Sequence, residues 1–311
     1  MSLFCVALCC SEVACYARVT HAAMIPRIAR VAESVDASGL KPAVSLTAAY
    51  GFKSRPGHHQ ISGTTAHPMI NQHGLARTIP ADVALEVRRR CGFGCVVCGA
   101  SVVDYEHIEP EFKDAKWHDP GAIALLCGGC HDNVTRRRWS KGKIKRALAS
   151  PYCKSSKFSW GELDVGMEPP VIYLGTNLLW RCDVCIAIGP YPVFSVRPPE
   201  EIDGPFRVSA TFLDEFGRPI FRIRDNLWEA RSEVWDIKHK GPVTTVRGRS
   251  REACLQIRAL PGIGLVVQRM NLGVGNVQVQ VRDGQLRLGS GQTWQVLTGF
   301  QMVDCPVGIQ L

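Results

Sequence analysis

Two Cys-x2-Cys pairs, Cys95 with Cys98 and Cys127 with Cys130, constrain this chain more than any other feature. Four thiolates at that spacing form the ligand set of a tetrahedral structural zinc site. Gly92, Gly94, Gly99, Gly128 and Gly129 stand around the pairs and permit tight turns there. The chain has fourteen cysteines, and their distribution argues for metal rather than a disulfide framework. Five fall between Cys91 and Cys130, and four (Cys5, Cys9, Cys10, Cys15) in an apolar N-terminal stretch. That stretch has no Lys or Arg ahead of its apolar run, unlike a secretory signal. Close-set pairs without an export signal predict a reducing, cytoplasmic setting. No run approaches the roughly 18 apolar residues that cross a bilayer, so no membrane partner is expected.

The elements around the cysteines follow from spacing and punctuation. Pro80 suits a helix's first turn, and Val83, Val87 and Cys91 repeat at helical intervals until Gly92 or Gly94 ends the helix. Residues 101–108 are rich in strand formers and stop at Pro110, and residues 122–126 read as a second strand. A helix follows from about Cys130, and Ser140 caps a basic helix that reaches Ala149. Residues 77–150 thus form one small unit. Residues 1–76 lack a sustained period, and residues 33–74 have few large apolar side chains, which predicts a disordered or loosely attached arm. Beyond Gly166, short alternating runs such as 206–212, 220–223, 254–257 and 277–281 are separated by turn signals, with Asp283-Gly284 a strong hairpin turn. Residues 166–311 are therefore expected to be an all-β domain, a sandwich or solenoid, with a barrel also compatible. Cys182 and Cys185 read there as buried strand cysteines, and Trp228 and Trp235 as core or turn anchors. The fold class expected is α+β, a small zinc-stapled module followed by an all-β domain.

Between the zinc pairs runs Tyr105-Glu106-His107-Ile108-Glu109-Pro110, and His131 follows the last zinc cysteine directly. Hydrolysis of a phosphodiester needs a base of near-neutral pKa, which histidine supplies, and a cation to offset charge on the phosphoryl and leaving oxygens. A carboxylate with an imidazole suits Mg, Mn, Ni or Zn. In order, the chain has Cys-x2-Cys, then acid-His-Ile-x-Pro, then Leu-Leu-Cys-x2-Cys-His. Over residues 91–135 this resembles the zinc-containing branch of the HNH nucleases. The resemblance implies a ββα-metal module in which His107 polarises the attacking water while Glu106 and His131 hold one divalent cation. Thr135, four residues after His131, is placed to support it from the same helix face. The sequence departs from the family at two points. Ala122 stands where the family carries the Asn that braces the catalytic loop, and Glu106 replaces the commoner Asp. His118, within the same loop, reads as a solvated histidine.

Arg136, Arg137 and Arg138, followed by Lys141, Lys143, Lys145 and Arg146, form a run without an acid. With a formal net charge of +9, this points to a polyanion, and beside a phosphodiesterase site to the DNA backbone. Two functions fit: a metal-dependent endonuclease, or a module that holds nucleic acid or protein without cutting. The β-rich half carries no acid pair, nucleophile motif or phosphate loop, which leaves target recognition, docking of a protein partner or oligomerisation as its expected roles.

Overall fold

In a computed structural model, residues 70–214, 217–290 and 292–311 are described. The expected arm therefore lies outside the described residues up to residue 69. Residues 70–76, which that expectation included, are structured. An Ile70–Ala76 bridge closes a turn, and the Asn71 side chain ties that turn to the rest of the protein.

The chain is mixed helix and strand, mostly strand. Helix α1 (Ala81–Cys91) starts after Pro80 and ends at Gly92, whose φ of 74° places it in the left-handed region. The Phe93 N–H then returns to the Arg88 carbonyl at 2.8 Å, closing the end as the glycine predicted. Strands β1 (Asp104–His107) and β2 (Ile123–Leu126) pair antiparallel, setting Glu106 opposite Ala124 and His107 opposite Ile123. β1 begins three residues later than expected because the Ser101 N–H is already committed to the Trp160 carbonyl, at 2.8 Å. Helix α2 (Gly128–Thr135) starts earlier than expected, with Cys127 as its N-cap. Helix α3 (Lys141–Ala149) is capped by the Ser140 hydroxyl, which accepts from the Lys143 N–H at 3.2 Å. A short α4 (Tyr152–Ser156) follows. All four residues of β2 are buried, and Val87, Val96, Ile108 and Ile144 pack with them into one core.

The remaining strands are β3 (Phe158–Glu162), β4 (Val171–Leu174), β5 (Asn177–Ile188), β6 (Tyr191–Arg197), β7 (Arg207–Leu213), β8 (Pro219–Arg224), β9 (Leu227–Arg231) and β10 (Asp236–Lys240), then β11 (Val243–Arg247), β12 (Ala253–Leu260), β13 (Gly264–Val274), β14 (Val277–Arg282), β15 (Gln285–Ser290), β16 (Thr293–Leu297) and β17 (Gln301–Gln310). They belong to one curled sheet of 15 strands, not to the separate layers of a sandwich or the rungs of a solenoid. The reason lies in the two longest strands. β5 pairs with β4 over residues 177–180 and with β6 over 184–188, while β17 runs parallel along it. β13 likewise pairs with β4 near its start and with β14 near its end, and with β12 as well. Each long strand hands over from one partner to another along its length, so the sheet branches and curls around its own core.

Alternation places the apolar residues inside, as in β7, where Val208, Ala210 and Phe212 are buried between half-buried neighbours. The rings of Phe194, Phe212, Phe221 and Trp228 form a chain with centroid separations of 6.2, 6.0 and 5.0 Å. Asp283 and Gly284 both have positive φ, 52° and 75°, matching the primed turn their sequence predicted between β14 and β15. The sheet also holds the cysteine-bearing part. Arg88 in α1 makes a two-pronged ion pair with Asp236 in β10, at 2.8 and 3.0 Å. Trp235 lies between the guanidinium groups of Arg89 and Arg251, at 4.1 and 4.4 Å. The Trp160 indole N–H of β3 donates to the Cys98 carbonyl at 2.8 Å.

Candidate metal centre and the adjoining histidine site

The sulfur atoms of Cys95, Cys98, Cys127 and Cys130 all lie within 4.8 Å of one another. They come from two turns, one after α1 and one where β2 meets α2. In the first turn the Cys95 N–H donates to the Ala100 carbonyl at 2.8 Å and the Gly99 N–H to the Cys95 carbonyl at 2.9 Å, closing a tight loop under the thiols. Gly99 needs to be glycine: its φ is 83°, and a Cβ would sit 2.6 Å from the Tyr152 ring. Gly128 and Gly129 have open space around them.

Zinc–thiolate bonds of about 2.3 Å in a tetrahedron put neighbouring sulfurs about 3.8 Å apart. Cys98 and Cys127 are 3.6 Å apart, and Cys130 and Cys98 are 3.9 Å apart, which fits that edge. Burial, with help from the neighbouring thiols, pushes Cys98 up to about 12 and raises Cys130 as well. Cys127 feels the same burial, but hydrogen bonds from the Cys130 backbone and the surrounding thiols outweigh it and lower its pKa. Four thiolates at these distances need a cation among them to offset their repulsion. The donor set and the spacing suit structural zinc.

The second group of side chains adjoins this cage. His131 lies in the first turn of α2, directly after Cys130, and its Nε2 is 3.1 Å from Oε2 of Glu106 on β1. Glu106 thus turns toward the helix. Two ligands bound to one cation at about 2.1 Å lie about 3 Å apart at a right angle, so the Glu106–His131 pair fits a shared divalent ion. Its other carboxylate oxygen is engaged: Lys141 Nζ lies 3.3 Å from Glu106 Oε1 and 3.2 Å from the His107 carbonyl. Lys141 also reaches Glu111 at 3.6 Å.

His107 is 7% exposed and faces His118, with Nε2 and Nδ1 3.1 Å apart. His118 is buried too, which corrects its reading as a solvated loop residue. Its Nε2 lies 2.9 Å from the Ala76 carbonyl. A carbonyl only accepts, so this nitrogen carries a proton. In the tautomer where His118 is neutral, its Nδ1 accepts from His107 Nε2 and the His107 lone pair is on Nδ1. Burial, then the neighbouring His118, hold the His107 pKa below the ordinary histidine value, so the neutral, basic form is favoured.

The loop between β1 and β2 is closed at its neck by backbone, the Ile108 N–H donating to the Ala122 carbonyl at 2.8 Å. It is braced further out by a residue the sequence reading missed. The Asn71 amide donates to the carbonyls of Phe112 and Ala115, at 2.5 and 2.6 Å. Its oxygen accepts from the N–H groups of His73 and Leu75, at 2.9 and 3.0 Å. Every hydrogen-bonding position of the amide is used, and Arg77 covers the Phe112 ring at 5.4 Å. The sequence signal was an amide next to the first structured residues, but it lay in a stretch whose composition spoke for disorder.

The basic run divides. Arg136, Arg137 and Arg138 are exposed between α2 and α3, with Arg136 paired to Asp132 at 2.6 Å and Arg138 3.9 Å from the same carboxylate. Arg137 takes a positive φ of 57°. Lys143 stacks its ammonium 3.3 Å from the Trp139 ring centre. Lys141 points into the site, and Lys145 pairs with Glu109. Thr135 is exposed at the end of α2. No helix among the described residues is long and apolar enough to cross a membrane. Comparison with known protein families, curated proteins and solved structures finds no match to this chain.

Proposed function

We propose that residues 77–150 are an HNH-type ββα-metal module and that the protein is a metal-dependent endonuclease acting on DNA. The observation that carries this reading is the meeting of Glu106 and His131, 3.1 Å apart, beside a buried histidine whose tautomer leaves a basic nitrogen. The four-thiol cage supports it by fixing the first turn of α2, and with it His131, against the end of β1.

In this reading the residues divide the work. Nδ1 of His107 takes a proton from the attacking water, while Nε2 is held by His118. Glu106 and His131 would hold a divalent cation, Mg, Mn, Ni or Zn, which would offset charge on the phosphoryl oxygen and the leaving 3′ oxygen. Lys141 supplies a second positive charge next to the carboxylate and must yield or share Glu106 when the cation binds. Arg136, Arg137, Arg138 and Lys143 grip backbone phosphates without reading sequence.

The second reading, a zinc-stapled scaffold that holds nucleic acid or a protein without cutting, draws on one observation. Lys141 already neutralises Glu106, and so competes with a cation. Incubation of the purified protein with supercoiled plasmid separates the two. Nicking or linearisation that EDTA stops and Mg or Mn restores is expected; DNA binding with no cleavage under any of the four metals overturns the nuclease reading.

A further inference from the structure

Outside the zinc cage the protein holds a second thiol pair. Cys182 in β5 and Cys305 in β17 are register partners in two parallel strands, and their sulfurs are 3.1 Å apart. Neighbouring strands run about 4.7–4.9 Å apart, inside the range of about 4.4–6.8 Å between Cα atoms that a disulfide requires. The backbone is shaped at the same place in both strands. Arg181 and Asp304, the residues just before the two cysteines, both take left-handed conformations, with φ of 56° and 54°. Such a conformation is uncommon outside glycine and persists where the surroundings enforce it. Here the two kinks are bridged by an ion pair, Arg181 Nε to Asp304 Oδ1 at 2.7 Å. The matched kinks turn both thiols toward each other.

Metal binding does not explain this pair. Among the described residues, the only set of three or more His, Cys, Asp or Glu ligands close enough to share an ion is the four-cysteine cage. Cys185 is buried nearby but does not complete a third position, and β17 offers it no register partner. Two thiols alone, in contact and facing, have the geometry of a disulfide's precursor.

We propose that Cys182 and Cys305 form a cross-strand disulfide, made by exchange with a small-molecule disulfide such as oxidised glutathione, which locks β17 onto β5. Cys305 is partly exposed and Cys182 is 3% exposed, so Cys305 is the point of entry. Its thiolate, having given its proton to solvent, attacks one sulfur of oxidised glutathione. A Cys305–glutathione bond forms and one glutathione leaves as thiolate. The Cys182 sulfur, after losing its proton, then attacks Cys305 and expels the second glutathione. Two protein thiols are oxidised to one disulfide while one oxidised glutathione is reduced to two thiols. Burial together with Cys305 holds the Cys182 thiol up at about 12, which fits its role as the second, slower partner.

The test is peptide mapping of the full zinc-loaded chain, equilibrated in glutathione buffers from fully reduced to fully oxidised and then alkylated. A Cys182–Cys305 cross-linked peptide is expected to appear as the oxidised fraction rises, to vanish on adding dithiothreitol, and to survive in Cys185→Ser. Amide exchange over residues 301–310 is expected to slow at least tenfold in the oxidised form, with zinc content unchanged. Absence of the linked peptide from folded wild type at the oxidising end overturns the proposal, as does a link from either cysteine to Cys185 instead. Because the mapping uses wild type, it decides the matter even if Cys182→Ser or Cys305→Ser does not fold.

Discussion

At the scale of single residues, the proposed chemistry turns on which nitrogen of His107 is basic. With His118 neutral and donating to the Ala76 carbonyl, His107 donates to His118 from Nε2 and its lone pair is on Nδ1. On the nuclease reading, His107→Ala lowers cleavage by about 100- to 10,000-fold, with zinc content and DNA affinity nearly unchanged. Glu106→Ala and His131→Ala also lose activity, but excess divalent metal partly restores them, whereas His107→Ala does not respond. Plasmid cleavage across a metal titration reads all three, and a His107→Ala enzyme at wild-type rate removes the assigned base. A second histidine bears on stability. His239 packs beside the Trp228 ring, 5.3 Å between centres, and burial, then the nearby Arg88, lower its pKa to about 4. The unfolded chain titrates near 6.5, so between these values the unfolded state binds more protons. Its contribution is thus complete above about 6.5 and is lost as pH falls toward 4. Urea midpoints measured from pH 7 down to 4 are expected to fall, and to fall less steeply in His239→Gln; parallel curves would remove His239 as the cause. The role of His118 was illegible in the sequence because its solvation depends on residues 70–77 folding over it. No local pattern announces a contact 42 positions away.

Among the elements, those with local causes were legible. Gly92 ended α1, Ser140 capped α3, and Asp283-Gly284 turned the chain between β14 and β15. The cysteine spacing also named its own four partners, because tetrahedral thiolate coordination is the one arrangement that uses both pairs. What failed was the partnering of strands, since alternation tells which face of a strand is buried and not which neighbour it meets. The basic segment joining α2 to α3 makes a prediction at this scale. Arg136 and Arg138 lean on Asp132 and stay exposed, so a phosphate can compete for them. On the nuclease reading, replacing Arg136, Arg137 and Arg138 with Ala weakens DNA binding alike across sequences and reduces the salt slope by roughly 0.9 for each duplex phosphate left without its cation. Fluorescence anisotropy at several salt concentrations measures this, and an unchanged slope means the segment faces solvent only.

For the whole molecule, the four-cysteine cluster and the sheet are one mechanical system. Trp160 of β3 is bonded through its indole to the Cys98 carbonyl and through its backbone to Gly99 and Ser101. Structural zinc contributes folding free energy directly, so its removal should not stay local. A strong chelator, or Cys98→Ser, is expected to unfold residues 77–150 and to loosen β3 at the sheet's end, visible as faster amide exchange over 158–162. A chelated protein with unchanged thermal stability and no bound zinc would show the cage to be structurally idle. The branched sheet has a further consequence, for assembly in time. β17 meets β5 across 123 positions of chain, and β13 reaches back to β4 in a parallel pairing. Pairings this distant in sequence close late, because the entropy of the intervening loop is lost before they return anything. During that interval β5 presents an open row of backbone groups, and β17 of a second molecule fits it as well as the chain's own. Refolding is accordingly expected to be slow, to yield less native monomer as protein concentration rises, and to produce strand-exchanged dimers as its characteristic error.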